Sequence, residues 1–191
     1  MKSNDGSDLR VAYPGSFDPP TVAHLAVAHA AHDHIAGSCI EWVVSRHALG
    51  KQANEHGPSL EDRLDVLHAA AAEHEWLTVT LTEHRFIADI AQGYHAVVVG
   101  ADKWRQVIDP IWYRDAEDCA QMRARLPRVL VVPRADDDLR DVAEGIELLE
   151  IPHGFRRVSA TAARGGAHHL MLPAAAKFAE RTGRWSRVER N

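Results

Sequence analysis

The stretch YPGSFDPPTVAH occupies residues 13–24 and joins an apolar run to an alanine-rich segment. Val11 and Ala12 before it are typical of a strand, and the residues after it are typical of a helix. A strand end, a Gly/Pro turn and a helix start in succession bring main-chain N–H groups and the positive end of a helix dipole to one point. That arrangement suits a phosphate, and Thr21 and His24, three residues apart in the first turn, can face the same anion.

Length and composition indicate one globular domain over residues 1–191, with 46% apolar and 26% charged residues. Residues 1–8 are polar and acidic, so we expect them to be disordered and to be neither a signal nor a transit peptide. No apolar run reaches the roughly 20 residues that cross a bilayer, and the formal charge of −5 disfavours binding to nucleic acid. The isolated Cys39 and Cys119 have no metal-site spacing and predict free thiols in a reducing cytoplasm.

Short β-like runs alternate with helical segments along the chain. Strands are predicted at 11–13, 40–44, 77–81, 96–99, 129–132 and 148–151. Helices are predicted at 22–35, after the cap at Ser59, at 87–91, and from Pro173 to Gly183. This alternation predicts an α/β fold, a mostly parallel sheet with helices on both faces and a C-terminal helix. The carboxyl ends of the strands, where ligands of such sheets bind, would bring the first turn close to Gly100 and Ser159.

The opening stretch resembles the GSFDPxTxGH signature of the T/HxGH nucleotidyltransferase superfamily. The matching residues are Gly15, Ser16, Phe17, Asp18, Pro19, Thr21 and His24. Ala23 departs from the signature, which has glycine before the histidine. The resemblance implies a Rossmann-like enzyme that transfers a nucleotidyl group from ATP or CTP, with the residues around Gly15, Ser16 and Phe17 holding the nucleotide.

Two later segments resemble the nicotinate/nicotinamide mononucleotide adenylyltransferases of this superfamily. Lys51, followed by the helix start at 59–64, resembles their lysine loop, and a loop lysine can reach a phosphate as a mobile charge. Residues 98–104 resemble their glycine-x-aspartate turn, in which Gly100 and Asp102 would contact the ribose. A lone lysine of this kind is far more often a surface residue than a ligand, and the position of Lys51 after the second predicted strand makes the two interpretations about equal. Asp102 is also explained as a helix N-cap, and that role can coexist with ribose binding.

The same resemblance extends to residues 158–164, VSATAAR, which are similar to the family's ISSTxxR motif. Ser159, Thr161 and Arg164 match, whereas Ala160 replaces the second serine. In the family these hydroxyls and the arginine hold the leaving phosphates, and a guanidinium offers them a fixed fork of donors. Trp112 resembles the family's aromatic residue that stacks on the pyridine ring, with Trp104 as its rival; core packing is the other role for either tryptophan.

The resemblance therefore implies an adenylyltransferase that joins AMP from ATP to the phosphate of nicotinate or nicotinamide mononucleotide and releases pyrophosphate. The catalytic residues implied are His24, Thr21, Lys51 and Arg164, which would align the phosphates and stabilise their charge. Mg²⁺ would arrive with ATP, because this ion keeps waters and phosphates as ligands, so no protein metal site is predicted. Small-molecule nucleotides are the expected partners, and a homo-oligomer is left open.

Two alternatives stay open from the sequence. One is a sister transferase that acts on phosphopantetheine or, with CTP, on a small alcohol phosphate. The other is a nucleotide-binding regulator that has lost turnover, because Ala23 and Ala160 both replace residues that are usual in the family.

Overall fold

Six parallel strands form one sheet in a computed structural model that describes residues 9–47, 57–133, 139 and 144–185. The strands are β1 (Arg10–Pro14), β2 (Cys39–Ser45), β3 (Leu77–Thr82), β4 (Ala96–Gly100), β5 (Arg128–Val132) and β6 (Glu147–Leu148). The helices are α1 (Val22–His34), α2 (Leu60–Ala71), α3 (Ile87–Ile90), α4 (Ala101–Ile108), α5 (Ala116–Ala124), α6 (Ala160–Arg164) and α7 (Pro173–Thr182). The predicted α/β, Rossmann-like class with a C-terminal helix is confirmed. The predictions on Met1–Asp8 and Lys51 lie outside the described residues.

The strand order is β3-β2-β1-β4-β5-β6, so β1 lies in the middle with β2 and β4 as its neighbours. The chain runs outward from β1 to β3 and then returns to the other side of β1 to build β4, β5 and β6. Parallel sheets bind ligands beyond the strand ends at such a reversal. The turn after β1 lies at that point.

Alternate residues of each strand enter different cores, one on each face of the sheet. Val11 and Tyr13 pack with residues of α1 and α2, whereas Ala12 between them packs with residues of α3 and α4. The period of two follows from strand geometry, in which successive side chains point to opposite faces. Both faces of the sheet are thus covered, and this explains the runs of valine in β4 and β5.

Three of the helix boundaries predicted from local sequence signals are confirmed. The backbone N–H of Asp62 donates to Ser59 Oγ at 3.0 Å, and the Ser59 N–H donates to Asp62 Oδ2 at 3.1 Å, which closes a capping box on α2. Pro173 is in the first turn of α7, and Gly183 ends that helix with a left-handed φ of 70°.

A buried carboxylate connects three strands and the loop before β4. Glu41 of β2 is 7% exposed and accepts hydrogen bonds from Arg10 Nε at 2.6 Å, Tyr94 Oη at 2.6 Å and Thr80 Oγ1 at 3.0 Å. Burial alone would raise the pKa of Glu41, but the hydrogen bonds from Arg10, Tyr94 and Thr80 outweigh it, so the pKa lies below its usual value. Burial and the hydrogen bond to Glu41 also raise the pKa of Tyr94.

The last strand differs from the prediction of a strand over 148–151. β6 contains only Glu147 and Leu148, although the Leu149 N–H still donates to Val131 O at 2.9 Å. An edge strand has a partner on one side only, and Pro152 soon turns the chain into the 3₁₀ turn His153–Phe155. Hydrogen bonds from Arg128 and His34 lower the pKa of Glu147 to about 2.

Candidate active site

The turn between β1 and α1 contains a residue with an unusual backbone conformation, and the aromatic side chain of that residue is buried. Phe17 has a φ of 44°, a left-handed value that is strained for a bulky residue, and it is 1% exposed. Its ring lies 5.5 Å from Tyr13, 5.0 Å from His24 and 5.3 Å from Trp42, measured between centroids. A Cβ on Gly15 would lie only 2.7 Å from the Phe17 ring. Glycine at position 15 therefore permits the packing that supports His24.

His24 is oriented by the residue that precedes α1. The backbone N–H of Thr21 donates to His24 Nδ1 at 2.9 Å, and Thr21 Oγ1 lies at 2.9 Å from the same nitrogen. Because a backbone N–H can only donate, Nδ1 acts as an acceptor, and the neutral ring carries its hydrogen on Nε2. The site thus holds the histidine in the tautomer whose Nε2–H can donate to a phosphate oxygen.

The first and last motifs meet at Asp18. Arg164 Nη1 donates to the backbone carbonyl of Asp18 and lies 3.6 Å from its Oδ2, while Nη2 donates to Thr161 Oγ1 at 3.2 Å. Trp185 Nε1 donates to Asp18 Oδ1 at 2.5 Å. A guanidinium that is fixed in this way presents its fork in one orientation, as phosphate binding requires.

Two further hydrogen bonds hold the turn in place from other parts of the chain. Arg63 of α2 donates from Nη1 to Ser16 O at 3.0 Å, and the Leu172 N–H donates to Pro20 O at 3.1 Å. Arg63 is the arginine of the segment that resembles the family's helix start. The turn is consequently braced by α2 and by the segment before α7.

A cavity of about 500 Å³ opens at these carboxyl ends of the strands. Most of the residues singled out in the sequence line it together: Ser16, Phe17, Thr21, His24, Gly100, Asp102, Ser159, Thr161 and Arg164. Gly15 supports the cavity from behind Phe17. Gly100 is the N-cap of α4 and Asp102 lies in its first turn, so the N-cap role considered for Asp102 falls to the glycine.

Neither tryptophan lines this cavity among the described residues. Trp104 is 3% exposed and packs in the core on the α3/α4 face, which agrees with the core-packing role considered for it, and its stacking role stays a prediction. Trp112 is 37% exposed in the 3₁₀ turn Pro110–Trp112, and its stacking role stays a prediction.

Comparison with known proteins agrees with this arrangement. The family model described as cytidylyltransferase-like matches residues 12–147, which is well over half of the chain. The chain belongs to the cytidylyltransferase-like family. The prediction of a nucleotidyltransferase superfamily member is thereby confirmed, and no curated protein matches the chain in a sequence comparison.

Solved structures similar to this cytidylyltransferase-like chain include nicotinic acid mononucleotide adenylyltransferase of Plasmodium falciparum. Its complex with NaAD superposes with a TM-score of 0.68 at 14% identity, covering 93% of this chain and 97% of that chain. Its complex with APC gives a TM-score of 0.65 at 13% identity, covering 92% and 96%. At such identities the likeness establishes a shared fold.

Sequence reasoning missed several residues of the site in this cytidylyltransferase-like chain. Arg156 lines the cavity and Trp185 contacts Asp18 at the junction with Arg164, and neither was a predicted site residue, whereas Asp18 was predicted as part of the turn. The two adjacent arginines before Val158 were a visible signal for an anionic ligand. The Asp18–Trp185 contact had no such signal, because it joins residues 167 positions apart.

Proposed function

We propose that this protein transfers the AMP portion of ATP to the phosphate of nicotinate or nicotinamide mononucleotide and releases pyrophosphate. The observation that carries the proposal is the junction at Asp18, which brings Arg164 and Thr161 to the same cavity as His24. A single triphosphate can then contact both motifs. The chain shares its fold, over 93% of its length, with a nicotinic acid mononucleotide adenylyltransferase whose structure contains NaAD, and this similarity supports the choice of acceptor.

The proposed reaction is one in-line displacement at the α-phosphorus of ATP. An oxygen of the acceptor phosphate forms the new bond to the α-phosphorus, and the bond from that phosphorus to the bridging oxygen breaks, so that pyrophosphate leaves with the electron pair. No covalent enzyme intermediate is formed. The protein aligns the reactants and stabilises charge on the phosphoryl oxygens.

Each side chain has one task in this scheme. His24 donates from Nε2 to a phosphate oxygen, and Thr21 acts through His24 by holding its tautomer. Arg164 and Thr161 bind the β- and γ-phosphates that leave, while Asp102 accepts hydrogen bonds from the ribose hydroxyls. Lys51, which lies outside the described residues, is proposed to reach the α-phosphate.

Mg²⁺ enters this scheme as part of the substrate. Among the described residues no group of three or more His, Cys, Asp or Glu side chains is placed to hold a metal ion. Both oxygens of the Asp18 carboxylate already face Trp185 or Arg164. The triphosphate and water are therefore the proposed ligands of the ion.

The test is an assay of the full chain with ATP, Mg²⁺ and either mononucleotide, in which the release of pyrophosphate is measured. We expect turnover with at least one of the two, and a His24→Ala variant should lose about 10²-fold or more in kcat, as loss of one transition-state donor does. His29→Ala is the matched control, because His29 is an exposed residue of the same helix that does not line the cavity. Full activity of His24→Ala would refute the role of His24.

Acceptor and donor panels separate the proposal from its relatives. Turnover with phosphopantetheine would change the assigned acceptor. Turnover with CTP and a small alcohol phosphate would change both the assigned nucleotide and the acceptor, and in either case the protein would still be a nucleotidyltransferase. Tight ATP binding without any turnover would favour the regulator, for which one observation speaks: Ala23 and Ala160 both line the cavity. In that case Ala23→Gly combined with Ala160→Ser should create activity.

A further inference from the structure

The lining of the cavity has two chemically different parts. Residues of the first turn and of α6 form a polar corner with His24, Thr161 and Arg164. A second part of the lining, the apolar wall, comes from β5 and from the segments after β5 and β6, and its residues are Val132, Pro133, Ile151, Phe155 and Val158. Neighbouring strands lie about 4.8 Å apart, so the ends of β1 and β5 are separated by about 10 Å.

The order of the strands in the sheet matches the order of phosphates, ribose and base along a nucleotide. His24 follows β1, Asp102 follows β4, and Pro133 of the apolar wall follows β5, in the order in which these strands lie in the sheet. With the phosphates at the corner and the ribose at Asp102, the base reaches the apolar wall. Flat, largely apolar rings fit such a wall, which then needs few polar groups to fix their orientation.

Arg156 is the charged residue of this wall. It follows Phe155 in the chain and lines the cavity, and its Nε is buried without a hydrogen-bond partner among the described residues. Arg164, at the polar corner, instead donates to Asp18 and Thr161. A buried N–H group that lacks a partner is destabilising, so Arg156 carries hydrogen-bonding capacity that no described protein group uses.

We propose that Arg156 contacts the nucleobase of the bound nucleotide; this inference rests on the proposed function and deepens it. A guanidinium can stack on a ring through its planar face and donate to ring nitrogens or carbonyl oxygens at its edge. It cannot accept a hydrogen bond, so it contacts acceptor atoms of the base and avoids exocyclic amines. Arg156 thus contributes to the affinity for the nucleoside part, whereas His24 and Arg164 serve the phosphates.

The experiment measures separately how the nucleoside part and the phosphate part of ATP bind. Dissociation constants of ATP, adenosine and inorganic tripolyphosphate are measured on the full chain, its Arg156→Met variant and its Arg157→Met variant, by displacement of a fluorescent ATP analogue. Methionine keeps the apolar stem and removes the fork of donors. Arg157 is the matched control, because it is the exposed neighbour and does not line the cavity.

We expect Arg156→Met to weaken ATP and adenosine by the same factor, about tenfold or more, as loss of charge-assisted hydrogen bonds does. Tripolyphosphate binding should stay unchanged, and Arg157→Met should leave all three constants unchanged. Arg156→Lys, which keeps the charge without the fork, should reproduce the loss for adenosine if the methionine variant fails to fold.

Three results would overturn the inference. A loss of tripolyphosphate affinity in Arg156→Met would make the residue a phosphate ligand, and unchanged affinity for adenosine would remove it from the base. Either result leaves the proposed function intact, because the wild-type chain still binds ATP. A wild-type chain that binds neither ATP nor tripolyphosphate would refute the proposed function and the inference together.

Discussion

Replacing Gly15 by alanine should disturb the polar corner of the cavity, because the new methyl group would displace the Phe17 ring. The new Cβ would lie 2.7 Å and 2.8 Å from two ring carbons, so the ring must shift by more than half an ångström to regain ordinary contact, roughly 3.4–4 Å. The ring packs against Tyr13, His24 and Trp42, so a shift of the ring disturbs the contacts that support His24. Overpacking of this kind costs about 1–3 kcal/mol of the free energy of unfolding.

Urea unfolding of the two proteins measures this cost. With an m value of about 2 kcal/mol/M, the midpoint should fall by roughly 0.5–1.5 M. Gly154→Ala is the control, because a Cβ at Gly154 meets no atom within 4 Å and its φ is not left-handed. The double variant with Phe17→Leu should recover part of the loss, as expected for residues in contact. A Gly15→Ala midpoint equal to that of the wild type would refute the reasoning, as would additivity with Phe17→Leu.

The buried carboxylate of Glu41 and the more exposed one of Glu147 should contribute differently to the free energy of unfolding. Tyr94→Phe removes the hydroxyl that donates to Glu41 and should cost about 1.5–3 kcal/mol at neutral pH by urea unfolding. Since the folded pKa of Glu41 is lowered, its contribution is present above the unfolded pKa and disappears as the pH falls through the folded pKa, so the difference from the wild type should shrink in acid; a constant difference would contradict this. Glu147→Gln removes an exposed pair with Arg128 and should cost less than about 1 kcal/mol, decreasing further at high salt. A larger or salt-independent loss would show that this pair is not screened by solvent.

The sequence predicted those parts of the fold that depend on local patterns. Valine-rich runs, the capping box at Ser59 and the Pro173 and Gly183 boundaries are short-range signals, and each is found in the structure. The strand predicted at 148–151 is shorter, because edge pairing depends on a neighbour that a local pattern does not contain. Core packing was the favoured role for Trp104 taken alone, but the sequence also allowed a role at the ligand, and the packing of α4 on the sheet shows that the residue is buried.

The candidate site was predictable where its residues belong to contiguous motifs. Ser16, His24 and Arg164 line one cavity because parallel strands end at the same edge of the sheet. The orientation of these side chains was not predictable, since it depends on contacts between distant parts of the chain. The hydrogen bond from Arg164 to the Asp18 carbonyl joins residues 146 positions apart, and no local sequence pattern predicts it.

The link between Asp18 and Trp185 has a consequence for biosynthesis. The turn that contains Asp18 leaves the ribosome before Trp185, whose indole binds the Asp18 carboxylate and follows 167 positions later. Domains synthesised from the N-terminus can fold only with the segments that have already emerged. A nascent chain therefore completes the polar corner of its cavity only after the residues that follow α7 have been translated.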